Sequence, residues 1–598
     1  MLVGLVAAIS YVSGTGLYWS RIVELILIYA MVGQALDLVS GYGGQFSLGH
    51  SGLFAIGAYT SAFFTTHHWP FPADMVMALV VTALAGLAIG APALRLADLY
   101  LALTTVAFAF IIATGANDWV FFTGGPGGVG GLELQLSGDA WVRWLGNEYL
   151  WLVAGIFFVS WMALRRIVRS RWGRALVGIR DSEPMAAAVG VGVNRLKIGA
   201  FVTSAACTGL AGALFAHLGY LSPDIFQLSL SISFVTIVFL GGAGTLYGSI
   251  LGALVVVGFP EVVSINANLN LTLYGLMLIG VMIVAPTGLS GAPALALESL
   301  RARWMPPAVV SHDVSDGEDP PVRHAVPSSN GHDRSGVPVL SAVAVHKAFG
   351  GLRVLEGVAM DVSPGELVGL IGPNGSGKTT FLNILGGQSQ ADSGAVRLNG
   401  VTITRSSVPR RAALGLARTF QHGALCPSLT VTENVMLGAH RRGSIPYAFS
   451  AGLVRPRLTE EMTLRHEAHA LLDELGVAGE YRARRPEKLP YGILRLVEVA
   501  AALATTPAVL LLDEPAAGLV EEEIHRLAAV LRHCLSRGIG IVLVEHHIGL
   551  VLDLADRVLV LESGQIIASG EPHVVARDPK VLEAYLGPAW ARPAVETR

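Results

Sequence analysis

From Met1 to about Pro293 the chain runs in apolar stretches near twenty residues long, broken by short joints that hold most of the charge. A helix of about twenty residues covers the roughly 30 Å of hydrocarbon in a bilayer. The pattern therefore predicts membrane-crossing helices at Leu2–Leu17, Ile22–Ser40, Leu48–Thr66, Asp74–Leu94, Asp98–Asn117, Tyr149–Leu164, Leu196–Gly219, Leu228–Leu240, Thr245–Phe259 and Leu271–Ala285. The stretch Leu228–Leu240 is short for a full crossing and is a candidate re-entrant segment. Arg165, Arg166, Arg169, Arg171, Arg174 and Arg180 cluster in one joint, and Arg301 and Arg303 follow the last span. The positive-inside rule places both on the cytoplasmic side; of an expected eight to ten transmembrane helices, the full ten would keep both ends there.

Beyond Leu300 the apolar runs stop. Residues 301–338 are rich in Pro, Ser, Asp, Gly and His, the composition of a flexible linker. From 339 to 598 strand-like runs at Leu367–Ile371, Val509–Leu512, Gly540–Val544 and Arg557–Leu561 alternate with helical stretches, the pattern of an α/β domain. The mean hydropathy of +0.56 averages two unlike halves, so it assigns the chain to no single class. The N-terminus lacks the ordered charged region, apolar core and small-residue site of a cleaved signal, so the first span is expected to be retained. A formal net charge of −3 offers no basic field for nucleic acid, which is excluded as a partner. Cys207, Cys426 and Cys534 are scattered without paired or metal-ligand spacing and read as reduced packing residues.

Candidate chemistry begins at Gly372-Pro373-Asn374-Gly375-Ser376-Gly377-Lys378-Thr379, a P-loop pattern that follows the apolar strand Leu367–Ile371 and opens a helix near Lys378. Its glycines let successive backbone N–H groups turn toward phosphate oxygens, and the helix N-terminus adds partial positive charge. Lys378 would reach the β- and γ-phosphates, with Thr379 on Mg²⁺ and Thr380 beside it at the nucleotide. The run Val509-Leu510-Leu511-Leu512-Asp513-Glu514 is a buried-strand pattern ending in two carboxylates. Asp513 is expected to hold Mg²⁺, and Glu514 to orient or deprotonate the attacking water. The predicted fold class is a polytopic all-α membrane domain over 1–300 fused to an α/β P-loop NTPase domain over 339–598.

The order P-loop, Gln421, LPYG, LLLDEP and Glu545-His546 resembles the ABC ATPase family, over about Val339–Gly587. The resemblance implies that Gln421 in ARTFQ senses Mg²⁺ and the permease, that His546 is the switch histidine at the γ-phosphate, and that Phe349 stacks on adenine. The phrases ARTFQ, LTVTENV, LLLDEPAAGL, VEHH, LADRVLVLESGQIIASGEP and VLEAYLG are similar to the ATP-binding subunits of branched-chain amino-acid importers in particular. In the membrane half, Gly41-Tyr42-Gly43-Gly44-Gln45-Phe46-Ser47-Leu48-Gly49-His50, LRLADLYLALTTVAFAF, FFTGGPGGVGGL and FLGGAGTLYGSILGA resemble the permease of the same importers. Ser170–Arg195 resembles the coupling segment of ABC importers, which would dock on the ATPase near Gln421. Glycines within apolar spans serve either close helix packing or a translocation path, and Asp37 and His50, ionisable groups at the spans, are either substrate contacts or side chains satisfied within the bundle.

One segment departs from the family. ABC cassettes clamp ATP between one subunit's P-loop and the other's signature, usually LSGGQ, whereas this chain has Leu489-Pro490-Tyr491-Gly492-Ile493, and Val520 stands where Asn or Asp follows. Pro490 supplies neither a hydroxyl nor an N–H. Two readings stand: an asymmetric pair in which this chain's cis residues hydrolyse ATP against a partner's intact signature, or local tolerance of the change.

The resemblance implies an ATP- and Mg²⁺-dependent importer subunit in the bacterial inner membrane, embedded in lipid and transporting branched-chain or other hydrophobic amino acids. Urea or short amides are alternative solutes, and a nucleotide-gated protein that binds ATP without productive hydrolysis is an alternative class. A second permease, a second and different ABC ATPase and an extracytoplasmic solute-binding protein are the implied partners.

Overall fold

The computed structural model describes residues 17–93, 98–130, 132, 148–262, 275–276, 279–281, 283, 285, 288–291, 338–419, 425–452 and 455–586. Its packing divides the chain into two units. The first comprises Met1–Leu176, Asn194–Ser315 and Pro446–Val454, and the second Val177–Val193, Asp316–Ile445 and Arg455–Arg598.

The first unit is helical: α1 (Leu17–Asp37), α2 (His50–Thr66), α3 (Ala73–Ala93), α4 (Asp98–Asp118), α5 (Glu148–Val168), the start of α6 (Arg171–Asp181), α8 (Val193–Ala216) and α9 (Leu228–Gly241). The intervening α7 (Glu183–Ala188) belongs to the second unit. Among the described residues five helices are long and apolar enough to cross a membrane. The most central is α1, packed by α5, α9 and Gly248–Ala253. By contrast α3 and α4 turn Val76, Leu79, Val80, Leu84, Leu103, Phe110 and Ile111 outward. Exposed apolar rows would be unfavourable in water and are what a helix facing hydrocarbon presents. The expected span Leu228–Leu240 is the single helix α9, whose 14 residues extend about 21 Å, less than a full crossing. The expected span Leu2–Leu17 lies outside the described residues but for Leu17, and Leu271–Ala285 lies largely outside them.

Small residues let α2 and α8 touch backbone to backbone. A Cβ on Gly57 would lie 2.2 Å from the Gly209 carbonyl oxygen, and one on Gly212 would lie 2.2 Å from that of Phe54. Close approach of this kind replaces the hydrophobic drive that helices lack inside lipid. The two ionisable groups singled out in the spans are bonded within the bundle. Asp37 accepts the Gly244 N–H at 2.7 Å, and His50 Nε2 donates at 2.8 Å to Ser204 Oγ, which itself donates to the Ala35 carbonyl.

The second unit holds two sheets. β1 (Leu340–Phe349), β2 (Leu352–Val362), β4 (Ser393–Leu398) and β5 (Val401–Thr402) form an antiparallel sheet in the order β2-β1-β4-β5. β3 (Leu367–Ile371), β6 (Leu416–Arg418), β7 (Val509–Asp513), β8 (Gly540–Val544), β9 (Arg557–Glu562) and β10 (Gln565–Gly570) form the other, ordered β10-β9-β3-β8-β7-β6. All its neighbours are parallel except β10. β3, β7 and β8 are buried throughout, which explains why they read as unbroken apolar runs rather than alternating ones. Its helices include α10 (Lys378–Gly386), α11 (Val408–Ala413), α12 (Val431–Gly438), α13 (Arg455–Glu474), α14 (Tyr491–Leu503), α15 (Glu521–Ser536) and α16 (Pro579–Leu586).

Arg411 on α11 is fully buried and donates to four backbone carbonyls: Ile384 and Leu385 at the end of α10 (2.5 and 2.7 Å), Thr404 (2.9 Å) and Ser406 (3.1 Å). It thereby satisfies carbonyls that a helix end leaves unpaired, and burial lowers its pKa to about 10. Arg411→Leu is expected to destabilise the unit by about 3 kcal/mol. Calorimetry of the full chain should show this as a fall of roughly 6–10 °C in the corresponding transition.

Candidate nucleotide-binding site

Strand order decides which residues meet. β3, β8 and β7 lie side by side and parallel, so their carboxyl ends open on one edge of the sheet. β3 runs into the P-loop, β7 ends in Asp513-Glu514, and β8 is followed by Glu545-His546. Ligands of open α/β sheets bind at such an edge.

The P-loop turns back on itself with Gly372, Gly375 and Gly377 at positive φ (149°, 81° and 107°). At Gly372 space is limiting too, because a Cβ would lie 2.0 Å from the Leu561 carbonyl oxygen. Asn374 and Gly375 are exposed, Pro373 is half-buried, and Ser376 is buried with its Oγ unbonded. Lys378 Nζ donates to the Gly372 and Pro373 carbonyls at 2.7 and 2.9 Å, which draws the ammonium into the loop. Burial lowers its pKa, while Glu514 and Asp513 act in the opposite sense. Thr379 and Thr380 follow in the first turn of α10, Thr379 exposed and Thr380 half-buried.

Asp513 Oδ2 accepts from Arg418 Nη2 at 3.1 Å, and both side chains are buried. Its other oxygen, Oδ1, is buried without a hydrogen-bond partner. Burial raises the Asp513 pKa against the pull of Arg418 and lowers that of Arg418 against the pull of Asp513. Next along the chain, Glu514 sits at φ 50°, in the left-handed region, with its N–H on the Val544 carbonyl at 2.8 Å. Its Oε1 lies 2.9 Å from His546 Nε2, whose ring is half-exposed. Glu545 braces this turn: Oε1 accepts the Ala516 N–H at 2.6 Å and Oε2 accepts those of His546 and His547 at 3.1 and 3.4 Å. Burial raises its pKa, with those three N–H groups opposing.

Lys378, Asp513, Glu514 and His546 thus converge. Phe349 stands elsewhere, at the exposed end of β1 in the antiparallel sheet, with the Lys347 ammonium 5.1 Å from its ring centroid. Gln421 lies outside the described residues, and the chain leading to it leaves β6 with the Thr419 N–H on the Leu511 carbonyl at 3.0 Å. Pro490 forms the N-cap of α14 without a side-chain bond. Behind it Tyr491 is bonded by Arg495 at 2.5 Å, the Arg495–Glu498 pair is buried at 2.7 Å, and a Cβ on Gly492 would meet Glu523 Oε1 at 2.1 Å. Leu489 precedes the cap and Ile493 is half-buried.

Three contributors were not singled out from sequence. Arg418 stands inside ARTFQ, where a charge closing an apolar strand could have drawn attention. In sequence, Glu545 stands out only as the companion of His546. Tyr585 on α16, within VLEAYLG, is raised by burial and opposed by the backbone N–H of Gly372, which puts this C-terminal helix at the P-loop.

Val177–Val193 packs in the second unit. Asp181 accepts from the Ser428 N–H and Oγ at 3.0 and 3.1 Å, Gly178 lies against Leu437 of α12, and Met185 Sδ is 3.6 Å from Cys426 Sγ. Met185, Ala188 and Val189 line a small cavity with Arg418, Thr419 and Glu498, so the segment lies between β6 and α14.

A P-loop and paired carboxylates at the edge of this sheet, on a chain whose first half is a bundle of apolar helices, define the class as a membrane protein carrying an ATP-binding cassette. Residues 18–286 match the family described as "Branched-chain amino acid transport system / permease component", 355–517 match "ABC transporter", and 565–587 match "Branched-chain amino acid ATP-binding cassette transporter". The cassette is 36% identical over 256 residues to the high-affinity branched-chain amino acid transport ATP-binding protein BraF of Pseudomonas aeruginosa, covering 42% of this chain and 99% of that protein. It is 35% identical over 261 residues to LivG of Escherichia coli, with the same coverage of 42% and 99%. A crystal structure of a nucleotide-free cassette from an ABC transporter is 32% identical over 42% of this chain and 99% of its own, with a TM-score of 0.37. The chain belongs to the branched-chain amino acid ABC transporter family and joins a permease component to an ATP-binding component on one polypeptide.

Glu545→Gln keeps one acceptor oxygen but turns an amide toward the remaining N–H groups, so it is expected to destabilise the cassette by about 2 kcal/mol. Denaturant unfolding of the full chain should show a lower midpoint with an unchanged slope.

Proposed function

We propose that the chain is the permease-plus-ATPase half of an importer that takes up branched-chain amino acids, driven by ATP hydrolysis. The observation that carries this reading is the convergence of Lys378, Asp513, Glu514 and His546 at the ends of β3, β7 and β8, on the same chain as the permease. The P-loop N–H groups and Lys378 bind the phosphates. Glu514 holds and polarises the attacking water, and His546, at 2.9 Å, fixes the Glu514 carboxylate and faces the γ-phosphate. Phe349 stacks on the adenine and Gln421 reports the occupancy of the site to the permease.

The buried, unpaired Asp513 Oδ1 fits a cation ligand, as Thr379 in the first turn of α10 does. Asp513, Thr379 and Gln421 would hold Mg²⁺, which when bound neutralises charge on the phosphates. Ser376 Oγ, likewise buried and unpaired, fits a phosphate oxygen.

The domain boundaries we adopt are 1–300, 301–338 and 339–598, and Ser170–Arg195 serves as the coupling segment, with Val177–Val193 the part of it that packs in the second unit. The protein resides in the bacterial inner membrane and works with a second permease, a second ABC ATPase and an extracytoplasmic solute-binding protein. That second ATPase is a different chain. Pro490 caps α14 with no N–H or hydroxyl to offer, and exposed Val520 also lacks a polar side chain, so the surface this cassette lends to its partner is depleted while it carries Lys378, Asp513, Glu514 and His546 of its own.

Reconstitution of the full assembly in proteoliposomes should give ATP-dependent uptake of radiolabelled leucine. Uptake should be lost in Glu514→Gln, with ATP binding retained and hydrolysis reduced more than 100-fold, about 3 kcal/mol of barrier. ATP hydrolysis without uptake of any branched-chain amino acid would overturn the solute, and urea or short amides would be next. Absence of hydrolysis in the complete assembly would favour a nucleotide-gated protein instead, a reading that Pro490 supports.

Because burial raises the Asp513 pKa, its proton competes with a cation at Oδ1. The folded state binds that proton more tightly than the unfolded chain, so acidification favours protonated Asp513 and disfavours its ligand role. Mg²⁺-dependent ATP affinity, followed by calorimetric titration, is expected to fall as pH is lowered. In Arg418→Gln, which removes the cation that pulls the Asp513 pKa down, the midpoint of that fall should move to higher pH.

A further inference from the structure

Between α12 and α13 the cassette sequence carries a tongue, Ser444-Ile445-Pro446-Tyr447-Ala448-Phe449-Ser450-Ala451-Gly452, with an apolar tip between polar flanks. Its root belongs to the second unit and its tip, from Pro446, to the first. At the root one Glu460 oxygen on α13 accepts from the Ser444 N–H (2.7 Å), Ser444 Oγ (3.2 Å) and the Ile445 N–H (3.2 Å), and Arg442 pairs with Glu467 at 2.9 Å. At the tip Tyr447–Phe449 forms a 3₁₀ turn closed by the buried Ser450, which donates to the Tyr447 carbonyl at 2.5 Å.

The tyrosine fills a shaped seat. Its hydroxyl lies 3.2 Å from Thr203 Oγ1, which already donates to the Gly199 carbonyl at 2.9 Å, so the tyrosine is the donor of the pair. Gly199 and Thr203 are one helical turn apart on α8 and share a face. A Cβ on Gly199 would stand 3.3 Å from the tyrosine ring, so the absence of a side chain there makes room for it. Trp172 of α6 meets the ring edge to face, centroids 5.8 Å apart, and Arg166 of α5 donates to the Ala451 carbonyl at 3.4 Å. The tip thus touches three helices of the permease.

We propose that this tongue is a second coupling element, through which the cassette grips the permease of its own chain. Val177–Val193 is a permease segment packed among cassette residues; the tongue is a cassette segment packed among permease helices. Its root is fixed to α13, which packs on α12 and on α14, the helix that begins at Pro490. In this reading movement of α13 is passed to α8 through Tyr447, by contacts distinct from those of the first segment. The transport consequence rests on the importer reading above; the seat itself does not.

The test uses the full chain with its partner subunits, with Cys207, Cys426 and Cys534 replaced by Ala. Gly199→Cys and Tyr447→Cys are combined, a protease site is placed within 301–338, and the protein is treated with a short bifunctional thiol reagent and then cleaved. We expect the two fragments of one chain to stay linked on a reducing gel. Separation of the fragments would overturn the seat, and linkage of fragments from different chains would overturn docking within one chain, whether or not the protein transports anything. In the native-cysteine background Tyr447→Ala, and Gly199→Leu from the opposite side, are each expected to lower solute moved per ATP hydrolysed about tenfold with unchanged ATP affinity. Tyr447→Phe, which keeps the ring contacts, should stay near the unmodified value. Unchanged transport per ATP in both Tyr447→Ala and Gly199→Leu would overturn the coupling role.

Discussion

Everything the cassette can do depends on the parallel pairing of β3, β8 and β7. Parallel strands bring like ends together, and their unpaired carboxyl ends are where loops of different sequence can meet. Three segments that lie far apart in the chain, beginning at Gly372, Asp513 and Glu545, become neighbours by this pairing alone. The strands must be apolar on both faces to be buried between helices, so each functional group stands at the last residue of its strand or just beyond it. That is why phosphate-binding backbone, carboxylates and histidine all fall immediately after an apolar run.

The membrane half rests on a different constraint. Where lipid is as apolar as the side chains, helices are held by contact rather than by exclusion from water. Gly57, Gly209 and Gly212 allow backbone contact, and buried polar groups such as Asp37 and His50 are spent on bonds within the bundle. An ionisable group inside a span is expensive unless satisfied, and both of these have partners from distant segments.

Much of this was legible in sequence. Periodicity and length located the helices from Ile22 to Gly219, and the P-loop, Asp513-Glu514 and His546 announced themselves by residue type and order. Contacts across long sequence separations were not legible. Arg418 reaches Asp513 over 95 residues, and nothing in ARTFQ says which carboxylate its guanidinium will meet. Asp37 drew notice because charge is rare in a span, yet its partner is a backbone N–H at Gly244 that no side-chain pattern could announce. The π-helical turns Leu38–Tyr42 and Leu254–Gly258 were hidden for a related reason, since one extra residue in a turn leaves no mark on the residue types along the helix. Pro490 was visible as a departure, while its consequence depended on its being the cap of α14 rather than an interior residue.

The exchange of segments between the two units bears on how the protein is made. Val177–Val193 leaves the ribosome long before the cassette residues it packs among, and the tongue, Ser444–Gly452, emerges after the helices its tip packs on, so each unit is completed only by a segment made at a different stage of synthesis.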